Sequence, residues 1–152
     1  MSAPGLEELF TLRIEVGDPV DLGPAPDGHR RMVPIVGGTL DGPGGLTGRV
    51  LPGGADHQVL TPGFALLDAQ YVVETSAGDR LSVHNRGVRS GSPQDMAALA
   101  RGEVVDADRV YFRCTPRLSS AAPDWAWVCG RVFVADARRH PRRVDVQVFT
   151  VL

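Results

Sequence analysis

The sequence predicts an all-β fold, a closed antiparallel β-barrel of roughly eight to ten strands with one short helix. Glycine and proline are abundant, with 18 and 12 residues, and they are spread along the chain rather than clustered. Turns between many short segments produce that distribution. Apolar runs recur between the turns without long helical periods, so parallel βαβ units are not expected. Closing the sheet removes its edges, and a barrel of about eight strands has room for one small ligand.

The length and composition are those of one globular domain. The chain has 152 residues, of which 43% are apolar and 22% are charged. A chain of this kind buries a core without metal or disulfide bridges. No internal repeat, low-complexity tract or linker is present, and residues 1–152 are treated as a single domain.

The first half of the chain is predicted to contain three strands. Residues 9–16 alternate apolar and mixed side chains, which is typical of a strand with one buried face. Residues 17–28 hold glycine, proline and aspartate and are predicted to form a loop. Residues 30–40 form the second strand, at an edge or with a bulge because of Pro34. A glycine-rich turn separates it from the third strand at 46–51.

The clearest hairpin joins predicted strands at 64–75 and 80–88. Between them, Ala77-Gly78-Asp79 is a short loop suited to reversing the chain. Residues 56–63, before the hairpin, are either a connection or a short strand.

One helix and three more strands follow the hairpin. The helix is predicted at 92–101. Ser92 can cap it and Pro93 suits its first position, whereas Gly102 stops it. The strands are predicted at 110–118, 125–135 and 144–152.

The charge balance argues against a nucleic-acid partner. The 16 basic residues are all arginine, the acidic residues number 18, and the formal net charge is -2. The absence of lysine excludes Schiff-base chemistry at a lysine. The arginine-rich segment 138–143 lies between two predicted strands without interleaved aromatic residues, so it is predicted to be a solvated hairpin loop.

A cytoplasmic location without membrane contact is expected. Residues 1–10 lack the basic and apolar regions of a secretory signal, and no apolar run approaches the roughly 20 residues of a membrane span. Cys114 and Cys129 lie on different predicted strands. Their number allows one disulfide, but we expect reduced, buried cysteines.

Two glycine pairs mark bends in the predicted barrel wall. Gly37-Gly38 and Gly53-Gly54 each close an apolar run, and the second pair leads to Asp56 beside His57. Neither pair opens a helix, so neither is expected to bind a phosphate as nucleotide-binding loops do. Asp56 is either a site residue or a turn residue whose carboxylate bonds its own backbone.

Ordered motifs extend from residue 33 to residue 134. They are 33–38 (VPIVGG), 52–56 (PGGAD), 68–71 (DAQY), 83–87 (VHNRG), 111–116 (YFRCTP) and Trp127 with 132–134 (VFV). In order and spacing they resemble the bacterial and fungal domain-of-unknown-function 3237 family over nearly the whole chain. The resemblance implies a calycin-like antiparallel barrel and a homo-oligomer, and it implies little about chemistry. Cys114 and His57 depart from the family pattern, which has a threonine-like and an aromatic residue there.

The candidate site is a polar cluster inside the barrel, because no strong catalytic signature is present. The predicted catalytic residues are Asp56, His84 and Arg113. Arg113 offers a planar fork that matches a carboxylate or an enolate, and a histidine such as His84 can transfer a proton. If Arg113 faces the interior with Asp56 or His84, an anion clamp lies beside a proton-transfer group.

Five further residues are predicted to bind the substrate: Tyr71, Arg86, Tyr111, Phe112 and Trp127. Strand alternation places Arg113 opposite Phe112 and Cys114, and it leaves open which of the two faces lines the interior. The simpler roles also stay open: Arg113 and His84 as solvated surface residues, and the aromatic residues as core. No cofactor is predicted, and no metal, because no close pair of histidines is present.

Three functions are compatible with these features. We favour a cofactor-independent lyase, isomerase or cyclase acting on a partly apolar, carbonyl-bearing metabolite. The alternative is a non-catalytic binding or carrier protein for a hydrophobic small molecule, which needs a pocket and no proton-transfer pair. An oligomeric scaffold would have a barrel packed solid, so an interior cavity of about 300 Å³ or more would argue against it.

Overall fold

The computed structural model describes residues 1–152 and contains ten β-strands, one α-helix and three short 3-10 helices. The strands are β1 (Leu6–Val16), β2 (Val20–Ala25), β3 (Gly28–Gly42), β4 (Leu46–Val50), β5 (Gly54–Leu60), β6 (Phe64–Thr75), β7 (Arg80–Ser90), β8 (Tyr111–Ser119), β9 (Phe133–His140) and β10 (Arg143–Val151). The α-helix, α1, is Pro93–Ala100, and the 3-10 helices are Pro43–Gly45, Ala107–Arg109 and Ala126–Gly130. None of these helices has the length and apolar character needed to span a bilayer.

The strands form one closed antiparallel β-barrel, which confirms the predicted fold class. Eight strands make the ring in the order β3, β5, β6, β7, β8, β9, β10 and β1, and pairing of β1 with β3 closes it. The other two strands are additions. Strand β2 pairs with the first part of β3, and β4 joins the last part of β3 to β6. Closure satisfies the backbone groups that an open sheet would leave unpaired at its edges.

Side chains alternate between the interior and the outer face of the barrel, most regularly on β8. Phe112, Cys114 and Leu118 are buried, whereas Tyr111 and Arg113 are exposed. This is the period of two expected for a strand with one face on a core. The alternation decides which of the two predicted faces of β8 lines the interior.

Aromatic side chains fill one end of the barrel. Phe10 and Phe133 are almost fully buried near the beginnings of β1 and β9. The ring of Trp125 lies 6.4 Å from that of Phe10, and the ring of Trp127 lies 6.2 Å from that of Phe133. Apolar packing of this kind supplies most of the stability of a β-barrel core.

Helix α1 begins and ends as the sequence predicts. The Ser92 hydroxyl accepts a hydrogen bond from the backbone N–H of Asp95 at 3.0 Å, and Pro93 is the first helical residue. Gly102 has a φ of 83°, a left-handed conformation that ends a helix readily. Met96 and Leu99 are buried in the core and hold the helix against the barrel.

Three segments differ from the sequence predictions. The predicted loop at 17–28 contains β2, and the undecided segment at 56–63 contains most of β5. The strand predicted at 125–135 begins only at Phe133, because Ala126–Gly130 is a 3-10 helix. This helix brings two tryptophan rings onto the core, and that packing outweighs the local strand preference.

Candidate functional site

The barrel encloses a cavity of about 510 Å³ at the end opposite the aromatic cluster. Three segments surround its opening: residues 17–19 between β1 and β2, residues 100–102 at the end of α1, and residues 139–142, which comprise the end of β9 and the turn to β10. Apolar side chains from around the ring line it, among them Ile14, Val33, Ile35, Leu67, Phe112 and Val146. A cavity of this size argues against a barrel that serves only as a solid scaffold.

A polar cluster projects into the cavity from four neighbouring strands. Its members, here called the interior polar cluster, are Arg31 on β3, Asp56 and Gln58 on β5, Tyr71 on β6, and Asn85 and Arg89 on β7. Each one takes a position in the inward row of its strand, so the pleat of the strand directs it inside. Arg31, for example, shares that row with the buried residues Val33 and Ile35.

Asp56 is the one carboxyl group of the interior polar cluster. Its Oδ1 accepts a hydrogen bond from the backbone N–H of Asp68 at 3.0 Å, and its Oδ2 accepts one from Nε2 of Gln58 at 2.7 Å. Burial raises the pKa of Asp56, against the opposing effects of these hydrogen bonds and of Arg89 and Arg31. A carboxyl group with a raised pKa exchanges protons closer to neutral pH.

Arg89 is a buried guanidinium whose hydrogen-bonding capacity is unused. The residue is only 2% exposed, and its Nε has no hydrogen-bond partner. The guanidinium carbon lies 5.4 Å from the centroid of the Phe112 ring, within the range of a cation–π contact. Burial, together with the charges of Arg139 and Arg31, lowers the pKa of Arg89 to about 10, so it remains charged at neutral pH.

Four further arginines line the same cavity, of which Arg31 and Arg139 are the more buried. Arg31 donates from Nε to Oε1 of Gln58 at 2.6 Å and from Nη1 to the carbonyl oxygen of Ala100 at 3.1 Å. Arg139 donates to the carbonyl oxygen of Glu103 at 3.3 Å. Burial lowers the pKa of both arginines. The cavity thus holds more positive than negative charge.

The placement of Arg139 corrects the prediction of a solvated loop at 138–143. Strand β9 continues to His140 and β10 begins at Arg143, so the connection is a two-residue turn. Arg139 is therefore a strand residue that lines the cavity, rather than a loop residue in solvent.

The other polar groups inside the barrel are neutral, whereas the charged residues Asp18, Arg101 and Arg142 lie at the opening of the cavity. Tyr71 Oη and Asn85 Oδ1 are buried without a hydrogen-bond partner. Burial raises the pKa of the Tyr71 hydroxyl and raises that of the Cys114 thiol to about 11. These groups are therefore donors and acceptors for a ligand rather than nucleophiles. Nowhere in the chain do three or more His, Cys, Asp or Glu side chains converge to hold a metal ion.

Three of the eight predicted site residues line the cavity. They are Asp56, Tyr71 and Phe112. The structure brings Asp56 and Phe112 near Arg89, since Phe112 contacts the guanidinium and the Asp56 charge raises the pKa of Arg89. Tyr71 lines the same cavity, where burial and the Asp56 charge raise its pKa.

His84 and Arg86 lie on the outer face of β7. His84 Nε2 is 2.6 Å from Oδ1 of Asp68, and Arg86 Nε is 3.7 Å from Oδ2 of the same carboxylate. Their neighbours in the strand, Val83 and Asn85, are the inward ones. The structure does not bring His84 together with Asp56.

Arg113 and Tyr111 lie on the outer face of β8. Arg113 donates to Oδ1 of Asp136 at 2.7 Å, and its guanidinium carbon lies 5.3 Å from the centroid of the Tyr111 ring. Because the neighbouring Phe112 points into the barrel, Arg113 has to point out of it. The expected meeting of Asp56 with Arg113 in one cavity does not occur.

Trp127 and Cys129 lie in the 3-10 helix Ala126–Gly130, away from the cavity. Trp127 is 43% exposed and stacks on Trp125 with 6.3 Å between ring centroids. Both cysteines are free, as expected, with Cys114 buried. Cys129 is exposed, which corrects the expectation that both would be buried.

Sequence reasoning missed Arg31, Gln58 and Arg89. The available signal was the inward row of each strand. Arg31 is two residues before Val33, and Arg89 lies in the same row of its strand as Val83, but the predicted hairpin strand ended at residue 88, two residues before the end of β7. A polar residue in an otherwise apolar row is the informative feature, because burial of such a group needs a partner.

The chain is similar to known proteins over nearly its whole length. A family model described as Protein of unknown function (DUF3237) matches residues 4–151. A UPF0311 protein of Bradyrhizobium diazoefficiens is 39% identical over 145 residues, which cover 95% of this chain and 94% of that protein.

Solved structures share the barrel. The crystal structure of a conserved protein of unknown function from Rhodopseudomonas palustris is 36% identical, with a TM-score of 0.93 over 100% of both chains. The crystal structure of an enzyme from Penicillium herquei is only 15% identical, with a TM-score of 0.73 over 100% of this chain and 97% of that one, and it shows the common fold alone. The family match and the close structural likeness together show that this chain belongs to the DUF3237 family.

Proposed function

We propose that the protein is a cofactor-independent enzyme, a lyase, isomerase or cyclase, that acts on a small, partly apolar, carbonyl-bearing metabolite inside the barrel. One observation carries the proposal: a single cavity holds both a buried carboxyl group with a raised pKa, Asp56, and a buried guanidinium with an unpartnered Nε, Arg89. Titratable groups perturbed by burial and gathered in a cleft are typical of catalytic sites.

In this proposal Asp56 is the proton-transfer group. Its carboxylate takes a proton from the carbon beside the substrate carbonyl, and the electron pair of that C–H bond moves toward the carbonyl oxygen. Arg89 and Arg31 stabilise the resulting negative oxygen, and the neutral Tyr71 hydroxyl is available to donate a hydrogen bond to it. The carboxyl group then returns the proton to a different atom in an isomerase or a cyclase, or to the leaving group in a lyase.

The apolar wall supports the same proposal. Leu67, Phe112 and Val146 offer a surface for the hydrocarbon part of a metabolite. A cavity of about 510 Å³ lies within the usual range for small-molecule sites. Exclusion of water there strengthens the interaction of Arg89 with a developing charge.

A non-catalytic binding or carrier protein is the second candidate, and one observation favours it. Both carboxylate oxygens of Asp56 already accept hydrogen bonds, from Gln58 and from the backbone of Asp68. That arrangement suits a structural acid as well as a catalytic one. In either case the proposal includes a small-molecule ligand, a cytoplasmic location and a homo-oligomer.

Turnover of a bacterial metabolite extract separates the two candidates. The wild type, Asp56→Asn and the outer-face control Arg117→Gln are each incubated with the extract, and products are followed by mass spectrometry. We expect the wild type and the control to consume the same metabolite, and Asp56→Asn to consume it about 100-fold more slowly. Equal consumption by Asp56→Asn would contradict the catalytic assignment, and a metabolite that is bound but never consumed would favour the carrier.

A further inference from the structure

We infer that the ligand of this cavity carries a carboxylate group, and that Arg89 binds that carboxylate inside the barrel. The inference rests on the proposed function for the cavity as the functional site, and it adds the chemical class of the ligand.

Arg89 is buried in the barrel with an unsatisfied hydrogen-bond donor. Only 2% of the residue is exposed, and its Nε has no hydrogen-bond partner. A charged group removed from water without compensation costs several kcal/mol, and such groups are normally paired. The cation–π contact with Phe112 compensates one face of the guanidinium and leaves the N–H groups along its edge available. A planar carboxylate is the group that matches this edge.

The cavity around Arg89 carries an excess of positive charge. Arg31 and Arg139 are near enough for their charges to lower the pKa of Arg89. The only carboxyl group of the interior polar cluster is Asp56, and burial favours its neutral form. The other acid that lines the cavity, Asp18, accepts a hydrogen bond from Arg142 at the opening. Three guanidinium groups around one buried acid leave an excess of positive charge, which is best balanced by an anion that enters with the ligand.

The end of α1 that borders the cavity suits a carboxylate better than a phosphate. The helix next to the cavity, α1, presents its C-terminal end there, since residues 100–102 line the opening. The carbonyl oxygen of Ala100 already accepts a hydrogen bond from Arg31. Carbonyl oxygens at a helix C-terminus carry partial negative charge, whereas phosphate sites use the N–H groups of a helix N-terminus. A singly charged, planar anion is therefore better matched than a dianion.

The apolar lining of the cavity indicates that the rest of the ligand is apolar. Ile35, Leu67 and Val146 line the same cavity as Arg89. A carboxylic acid with an apolar body fills both parts of the cavity, which neither an inorganic anion nor a hydrocarbon does.

Acetate is the test probe, because it is small enough to reach Arg89 whatever the shape of the natural ligand. The ¹⁵Nε–¹Hε resonance of Arg89 is followed by NMR during titration with sodium acetate, with acetamide as the uncharged analogue and inorganic phosphate as the dianion. The resonance is assigned by its loss in Arg89→Met. We expect a saturable shift with acetate, none with acetamide, and weaker binding of phosphate than of acetate.

Cavity methyl resonances, such as those of Leu67, give a second readout for the variants. Acetate affinity should fall at least tenfold in Arg89→Met and remain unchanged in the matched control Arg117→Met, whose arginine is on the outer face. Arg89→Met replaces an unpartnered charge with an apolar side chain of similar length, so the barrel should still fold. In the wild type, affinity should rise by about fourfold for each methylene from acetate to hexanoate.

The absence of a saturable Arg89 shift with acetate would overturn the inference, as would an equal shift with acetamide or tighter binding of phosphate. Equal affinities for all the acids from acetate to hexanoate would contradict an apolar body in the ligand. None of these measurements involves turnover or Asp56. If acetate binds but turnover is unchanged in Asp56→Asn, only the proposed catalysis is rejected. If turnover falls in Asp56→Asn but acetate does not bind at Arg89, only the carboxylate assignment is rejected.

Discussion

At the scale of single residues, strand parity separates Asp56 from the other two predicted catalytic residues. Asp56 lies in the inward row of β5, whereas His84 and Arg113 lie in the outward rows of β7 and β8. Outside the barrel, His84 and Arg113 are next to carboxylates and solvent, where ion pairs contribute little free energy. Inside it, Asp56 is next to Arg89, where low polarity strengthens every charge interaction.

The raised pKa of Asp56 makes a prediction about stability. Because folding raises this pKa, the favourable contribution of the carboxyl group is complete below its ordinary value of 3.8 and is lost as pH rises through the folded value. Asp56→Asn removes that titration. The free energy of unfolding of the wild type, measured by urea denaturation, should therefore fall relative to that of Asp56→Asn as the pH rises above about 4. If the free energies of unfolding of the two proteins changed in parallel with pH, the raised pKa of Asp56 would be contradicted. A relative gain in the stability of the wild type would show that folding lowers this pKa instead.

The sequence indicates Asp56 as a candidate site residue, but it does not indicate which residues surround Asp56 in the cavity. Asp56 follows a glycine pair, in a motif specific enough to attract notice. Arg113 also lies in a specific motif. Its neighbours Phe112 and Cys114, however, belong to the apolar row that faces the core, so Arg113 points outward. Arg89 carried no motif of its own, and its role depends on what four other strands place around it.

At the scale of elements, the bend at the start of β5 sets the position of Asp56. Gly53 has a φ of 110°, which favours glycine. Gly54 packs so closely on β6 that a Cβ atom there would lie 2.4 Å from the carbonyl oxygen of Gln70 and 2.6 Å from Cβ of Tyr71. This close approach aligns β5 with β6, so that the backbone N–H of Asp68 reaches the Asp56 carboxylate.

Gly54→Ala should therefore destabilise the barrel. The added methyl group meets backbone that cannot move without disturbing the β5–β6 pairing, so we expect a loss on the order of 1–3 kcal/mol in the free energy of unfolding. Gly63→Ala is the matched control, because nothing lies within 4 Å of its added Cβ, and it should change stability by less than about 0.5 kcal/mol. Equal effects of the two substitutions in chemical denaturation would refute the close-approach explanation.

Elements with their own local signals were the predictable ones. The β6–β7 hairpin and α1 were predicted correctly because a turn glycine, Gly78, and a capping serine, Ser92, specify them within a few residues. Strand β2 pairs with the neighbouring β3, but Gly23 and Pro24 within it weaken the local strand pattern. The 3-10 helix Ala126–Gly130 depends instead on distant contacts, such as that of Trp125 with Phe10. Tertiary contacts decide such segments, so the local sequence underdetermines them.

At the scale of the whole molecule, closure of the barrel creates the functional site. Strands β3, β5, β6 and β7 carry the interior polar cluster, and the far end is filled by aromatic side chains. The abundance of turns predicted a closed barrel with room for a ligand. The charge inside the cavity was not predictable, because it results from inward rows of strands widely separated in the sequence.

Proton transfer by Asp56 inside this cavity is the central claim, and deuterium incorporation tests it most directly. The wild type, Asp56→Asn and Arg117→Gln are incubated with a metabolite extract in D₂O, and mass spectrometry identifies carbonyl-bearing compounds that gain a deuteron. We predict incorporation with the wild type and Arg117→Gln, and a rate about 100-fold lower with Asp56→Asn. Incorporation at the wild-type rate in Asp56→Asn would contradict the claim.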